Sequence, residues 1–209
     1  LHHHLATGAR HWLRAQWGNW LLAVTRRHLA SAIIYQSQFV RNWWERQYGQ
    51  SKLPSRVIYN GVDLDISSPK GGGADAKPPF RILLIEGSLM GGYDLGLQSA
   101  IQLVEQLNHS YNLPSELVVA GQISKAQQQR WSRSTTIPIE WLGVVAHKDI
   151  PTLNRSGHLL FSGDINAACP NAVIEALACG LPVVAFATGG VSELISPEAG
   201  ALVPYGGDP

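Results

Sequence analysis

Two cysteines and one methionine occur in 209 residues, charged side chains make up only 15%, and no apolar run approaches about 18 residues without a charge. Each scarcity excludes a class. Cys169 and Cys179 stand ten positions apart in a cysteine-poor chain, which excludes a disulfide scaffold and predicts two reduced thiols in a cytoplasmic protein. The missing apolar run argues against a spanning helix, and no leader with a small-residue cleavage site is visible. With 45% hydrophobic residues and 16 Lys+Arg against 15 Asp+Glu, the composition is that of a packed domain rather than a disordered tail. At roughly 100–200 residues per domain, the length predicts one domain with an appendage, or one domain and a piece of another.

Acidic residues are nearly absent from the first 56 positions. Arg10, Arg14, Arg26, Arg27, Arg41, Arg46, Lys52 and Arg56 face Glu45 alone, a balance of +7, whereas the remainder of the chain carries −6. Trp12, Trp17, Trp20, Trp43 and Trp44, five of the seven tryptophans, share this basic segment. Arginine and tryptophan interleaved over residues 10–44 make a candidate peripheral membrane contact, because tryptophan prefers the interface and arginine the anionic head groups. Core-facing tryptophans with solvated arginines are the competing reading. No nucleic acid partner is expected.

Apolar spacing predicts an amphipathic helix over residues 5–31, a short strand over 32–35, a helix capped by Ser37 over 39–48, and a strand over 56–59. Asn60-Gly61 should turn the chain, since both residues tolerate positive φ. Residues 69–79 hold three consecutive glycines and three prolines and read as a linker. Beyond it, apolar strands (81–85, 117–120, 139–142, 158–161, 182–186 and 200–203) alternate with helices (97–107, 124–132, 150–154, 171–179 and a turn at 191–195). This order predicts an α/β fold with a Rossmann-like parallel sheet covered by helices on both faces. Ligands in such sheets lie at the carboxyl ends of the strands.

Three loops at those ends stand out. Residues 87–96 form a glycine-rich turn after Glu86, matching neither the dinucleotide fingerprint nor the phosphate-binding lysine loop, so a plain tight turn is an equal alternative. The segment 163–171 leads into a helix for which Asn171 is a natural N-cap, aiming the amides of Ala172, Val173 and Ile174 at an anion. Glu175 in the first turn is placed to reach a hydroxyl beside that anion, or merely to complement the helix dipole. The third loop, 187–193, again sets glycines beside a helix start. His147 and His158 read as lone polar or satisfied histidines, and His2, His3 and His4 as a helix start rather than a metal site. Cys169 and Cys179 read as packing residues.

The run Cys-Pro-Asn-Ala-Val-Ile-Glu-Ala-Leu-Ala-Cys-Gly-Leu-Pro-Val-Val-Ala at 169–185, followed by Thr-Gly-Gly-Val-Ser-Glu-Leu-Ile, resembles the donor-binding signature of family 4 glycosyltransferases. Ser37-Gln-Phe-Val-Arg, Val57-Ile-Tyr-Asn-Gly-Val-Asp-Leu and Trp141-Leu-Gly-Val-Val extend the resemblance from about residue 32 to the end. It implies a GT-B architecture of two Rossmann-like domains. Residues 1–66 would then be the mostly helical end of an amino-terminal domain, 67–79 the linker, and 80–209 a nucleotide-sugar-binding domain, with the chain truncated at both ends and inactive alone. The implied activity is transfer of a sugar from a nucleotide-sugar to an unidentified acceptor (glycan, lipid or small molecule), retaining and metal-independent, with no cofactor.

Carried over by position, the resemblance places Gly87 and Ser88 over the phosphates and Val144 and Val145 against the base. Asn171, Ala172 and Val173 fall at the helix start facing sugar and diphosphate, and Glu175 at the ribose. Ala167 stands where the first glutamate of the E-x7-E motif belongs, so no catalytic residue is assigned. Ser88 and Gly91-Gly92-Tyr93 replace the family's basic pair. A non-catalytic nucleotide- or carbohydrate-binding module derived from such a domain is the alternative, and a nucleotide-sugar isomerase a third reading.

Overall fold

The computed structural model describes residues 9–89 and 94–206. His2, His3, His4 and the Gly91-Gly92-Tyr93 segment fall outside the described residues. The chain begins with helix α1 (Ala9–His28), strand β1 (Ile33–Tyr35), helix α2 (Gln38–Tyr48) and strand β2 (Ser55–Val57). β1 and β2 pair in parallel, Ile33 with Ser55 through Tyr35 with Val57. Ser37 caps α2 as its spacing predicts, its side chain accepting from the Val40 amide, and Gly49 closes the helix at φ 78°.

α1 forms where the pattern places it, but it buries no face among the described residues. Trp12, Leu13, Trp17, Trp20, Leu21 and Leu22 remain 45% to 66% exposed, and Trp17 stacks on Trp20 at 5.1 Å. The core-facing reading of these tryptophans is thus not met among the described residues. No described helix is long and apolar enough to cross a membrane.

Residues 58–79 carry no helix or strand. Strand β2 ends at Val57, two residues earlier than the apolar pattern suggests, because Tyr59 and Asn60 turn to partners further along the chain. Neither Asn60 nor Gly61 takes positive φ, so the expected turn at this dipeptide is not made. The segment that follows lies along the second unit: Arg155 Nη1 donates to the Ser68 carbonyl at 3.2 Å, and the Asp75 carbonyl sits 2.7 Å from His158 Nε2.

Residues from 80 onward form one parallel six-stranded sheet of β3 (Phe80–Ser88), β4 (Ser115–Gln122), β5 (Ile139–Gly143), β6 (Leu159–Ser162), β7 (Val183–Phe186) and β8 (Gly200–Val203). Their spatial order is β5-β4-β3-β6-β7-β8. Helices α3 (Asp94–Ser110), α4 (Lys125–Ser134), α5 (Ile150–Ser156) and α6 (Asn171–Ala178) connect them. The continuous apolar runs are those of strands covered on both sides. Leu83, Val118, Leu160 and Val183 pack with Val173 and Ala176 on one face, while Ile82, Leu84, Leu117 and Val119 pack with Leu97, Ile101 and Val104 on the other. Each fully buried Leu or Val contributes about 1.5–3 kcal/mol of transfer free energy, which makes this double layer the main stabilising element of the unit.

At the amino ends of three neighbouring strands Arg81 bridges Glu116 and Glu140 at 2.9 and 3.0 Å, which leaves the carboxyl ends to the loops. Strand order runs outward from β3 through β4 to β5, then restarts at β6 on the other side of β3. The crevice between β3 and β6 is therefore a topological switch point, where ligands of open α/β sheets bind.

Candidate functional site

A cavity of about 380 Å³ opens at that switch point, lined by Glu86 and Gly87 of β3, Gly121 of β4, Val144 and Val145 after β5, Asp164 after β6, and Asn171, Ala172 and Glu175 of α6. Six of the sequence-predicted residues thus meet in one place: Gly87, Val144, Val145, Asn171, Ala172 and Glu175. Val173 turns away into the core. Ser88 does not line the cavity and pairs with Gln122 of β4 instead.

The first loop differs from its sequence reading. β3 continues through Gly87 and Ser88 rather than turning at Gly87, after a register shift between Ile85 and Ser88, and Leu89 N still donates to Gln122 O at 2.9 Å. The shift coincides with Gly121 at φ 148°, where a Cβ would lie 2.2 Å from the Glu86 carbonyl oxygen; only glycine lets the two strands approach so closely here. α3 begins at Asp94, so Gly96 belongs to the helix and rests on Gly163, whose own Cβ would lie 2.5 Å from the Gly96 Cα.

The α6 start also corrects an expectation. Pro170 occupies the cap, without a side-chain cap hydrogen bond, and Asn171 is the first helical residue. Asn171 Oδ1 is engaged across the chain, accepting from Asn60 Nδ2 at 2.8 Å, while Asn60 Nδ2 and N also contact the Cys169 carbonyl at 3.2 Å and Sγ at 3.4 Å. The predicted donors move by one residue. Ile174 N is bonded to Pro170 O, and the amides of Asn171, Ala172 and Val173 are those that the geometry of a helix start leaves without an intrahelical acceptor.

Glu175 lines the cavity, and its Oε1 lies 3.1 Å from Nε2 of His147, an imidazole that is 86% exposed. His147, expected to be a lone polar or satisfied histidine, thus meets the cavity carboxylate, a partner 28 positions away that local pattern does not encode. His158 is the satisfied histidine expected: its Nδ1 accepts from Arg81 N at 2.9 Å. Both cysteines are buried thiols, and burial pushes Cys179 above its ordinary pKa.

Two further acids, to which the sequence assigns no role, stand out, one in the cavity and one beyond it. Glu86 is partly buried at the end of β3, and this desolvation together with the charge of Asp164 pushes its carboxyl up to about 8. Glu193, in the short 3-10 turn Gly189–Glu193, reaches across to the first unit. Its carboxylate accepts from the Gln38 amide at 2.8 Å, the Phe39 amide at 2.6 Å and the Tyr59 hydroxyl at 2.7 Å. That hydroxyl is held above the usual tyrosine pKa, first by its hydrogen bond to Glu193. Glycine makes the approach feasible: a Cβ on Gly190 would lie 2.1 Å from the Ala168 carbonyl oxygen and 3.0 Å from Ser37 Oγ. No group of three His, Cys, Asp or Glu with metal-ligating geometry occurs among the described residues.

The arrangement offers helix-start amides for an anion, a carboxylate beside them for hydroxyls, and an apolar wall at Val144 and Val145. Residues 81–209 match the family model described as glycosyl transferases group 1, and residues 1–66 match that of glycosyltransferase family 4. A phosphatidylinositol N-acetylglucosaminyltransferase component of Arabidopsis thaliana is 27% identical over 151 residues, 70% of this chain and 32% of that protein. Its counterpart in Homo sapiens is 33% identical over 57 residues, 27% of this chain and 12% of that protein. The chain therefore spans about a third or less of the length of these relatives.

Among solved structures, Anabaena Alr3699/HepE in complex with UDP-glucose superimposes with a TM-score of 0.72 at 21% identity, over 92% of this chain and 55% of that one. WaaG, a glycosyltransferase involved in lipopolysaccharide biosynthesis, gives 0.72 at 18%, over 95% and 55%. These likenesses show the GT-B type of α/β fold. With a family model covering the whole sheet, the cavity and the α6 start, the chain belongs to the group 1, family 4 glycosyltransferases.

Proposed function

We propose that the protein, or the longer polypeptide of which this chain is part, transfers a glycosyl group from a nucleotide-sugar to an acceptor, with the donor bound in the switch-point cavity. The observation that carries this reading is the convergence of the α6 amide terminus and Glu175 on one cavity at the strand ends. In it, Asn171, Ala172 and Val173 present amides to the diphosphate, Glu175 binds the ribose hydroxyls, Val144 and Val145 lie against the base, and Gly87 borders the phosphates, while Ser88, paired with Gln122, stays outside the cavity. Fixed amide dipoles at a departing diphosphate stabilise developing charge without reorganisation, which suits a metal-independent, retaining transfer. The donor is a UDP-sugar, supported by the UDP-glucose in the Anabaena neighbour and the UDP and GlcNAc in the pneumococcal O-GlcNAc transferase GtfA. The sugar is N-acetylglucosamine and the acceptor a phosphatidylinositol-type lipid, supported by the names of the two sequence relatives. The exposed Trp and Arg side chains of α1 suit a peripheral site of action on a cytoplasmic membrane face.

A second reading is favoured by Ala167 and by a cavity whose described lining holds acids and no lysine or arginine. It is a binding module that retains a nucleotide site without turnover. UDP release is measured from UDP-N-acetylglucosamine and UDP-glucose, with and without phosphatidylinositol vesicles. Release that requires the lipid supports lipid glycosylation; UDP binding with no release under any acceptor supports the module.

A further inference from the structure

The cavity is walled by carboxyl groups where an anionic ligand would be expected to meet cations. Glu86 enters from β3, Asp164 from the β6–α6 loop and Glu175 from α6. Among the described residues lining it, none is lysine or arginine. Asp164 is the charge that acts on Glu86 directly. Glu175 stands on the α6 wall with His147 outside it at 3.1 Å, and Gly121 of β4 and Ile150 of α5 bring no charge. The Asp94 side chain, at the start of α3, is outside those described.

Glu86 is partly desolvated and faces a like charge, and such a carboxyl holds its proton near neutral pH; its raised value of about 8 accords with that. A protonated carboxyl presents an O–H donor, which an ionised one lacks.

We propose that Glu86 meets a phosphate oxygen of the bound nucleotide as a carboxylic acid, a neutral hydrogen-bond donor standing where the described lining has no lysine or arginine, so that the nucleotide binds together with a proton on Glu86. This rests on reading the cavity as a nucleotide-sugar site. No bond is made or broken; the proton stays on Glu86. A bound diphosphate adds negative charge beside Glu86 and raises its proton affinity further, so the complex titrates at higher pH than the free protein. Affinity is then full below the pKa of the free protein and declines as pH rises through it.

Isothermal titration calorimetry of the full chain with UDP-glucose, at pH 7, 8 and 9 and in two buffers of different ionisation enthalpy, reads both the affinity and the protons taken up. The expected result is an affinity about tenfold weaker at pH 9 than at pH 7, since a group with pKa near 8 is then about nine-tenths ionised, with proton uptake rising over the same interval. E86Q keeps a neutral donor that does not titrate and should bind at pH 9 as it does at pH 7. D164N removes the neighbouring charge and should move the decline to lower pH. Wild-type affinity that stays flat from pH 7 to 9 without proton uptake overturns the proposal while leaving the nucleotide site standing. So does an E86Q protein that keeps the wild-type pH dependence. Absence of UDP-glucose binding by both proteins at every pH overturns the proposal together with the reading of the cavity. The proton count on the wild type decides the matter even where a variant folds poorly.

Discussion

Asn60 Nδ2 donates to Asn171 Oδ1 at 2.8 Å, joining the end of the first unit to the first residue of α6 across 111 positions of chain. The side chain expected to cap α6 is thereby committed to the first unit. The neighbouring Tyr59 gives its hydroxyl to Glu193, which also holds the amides of Gln38 and Phe39. Together the two contacts hold Tyr59-Asn60 and fix how the β2 exit lies against α6 and the 3-10 turn that carries Glu193.

Glu193 is expected to contribute as a charged cap of α2. E193A leaves two amides and a hydroxyl without their acceptor and should lower unfolding free energy by about 1–3 kcal/mol, with E193Q losing less. Urea denaturation followed by circular dichroism reads it; a stability equal to wild type for E193A would refute the cap.

Glu175 is expected to carry ligand affinity and His147 much less. E175A should weaken UDP binding at least about tenfold, near 1.4 kcal/mol, whereas H147A removes one contact to an exposed ring and should change binding by less than about threefold. Calorimetric affinity unchanged in E175A would sink the assignment of this carboxylate.

Stability should fall as pH rises from about 5 to 8 in a way that Glu86 explains. Its folded pKa of about 8 lies above the unfolded value of 4.5, so its favourable contribution is complete below the unfolded pKa and is lost as pH climbs through the folded one. E86Q should flatten this decline and be more stable than wild type at pH 8 by up to about 4 kcal/mol. Thermal melts across that range test it, and parallel wild-type and E86Q curves count against it.

Two glycines should answer oppositely to alanine. A Cβ at Gly87 meets nothing within 4 Å, whereas at Gly190 it meets the Ala168 carbonyl oxygen at 2.1 Å. G87A should stay within about 0.5 kcal/mol of wild type, and G190A should lose at least about 2 kcal/mol as overpacking forces the backbone to move. Equal melting temperatures for the two variants would contradict the close approach.

The sheet was legible in the sequence because Ile82 to Leu84, Leu117 to Val119 and Val183 to Ala185 are uninterrupted apolar runs set off by glycines and helical spacing, a local signal. The α6 start was legible to within one residue. Pro170, with its fixed φ, took the cap that Asn171 was expected to fill, and tertiary pairing with Asn60 drew the amide away. The strand end at Ser88 was not legible, since glycine in a strand reads as a turn until the bulge against Gly121 is seen. Glu86, His147 and Glu193 were missed for a common reason. Each gains its role from a partner 28 or more positions away, and neither propensity nor spacing encodes that.

The contact of Gly96 on Gly163, taken with the Leu89 N to Gln122 O bond, anchors the chain to the sheet on both sides of residues 90–93. A side chain added at Gly163 would therefore push apart the start of α3 and the loop that carries Asp164, changing the cavity from a position that does not line it.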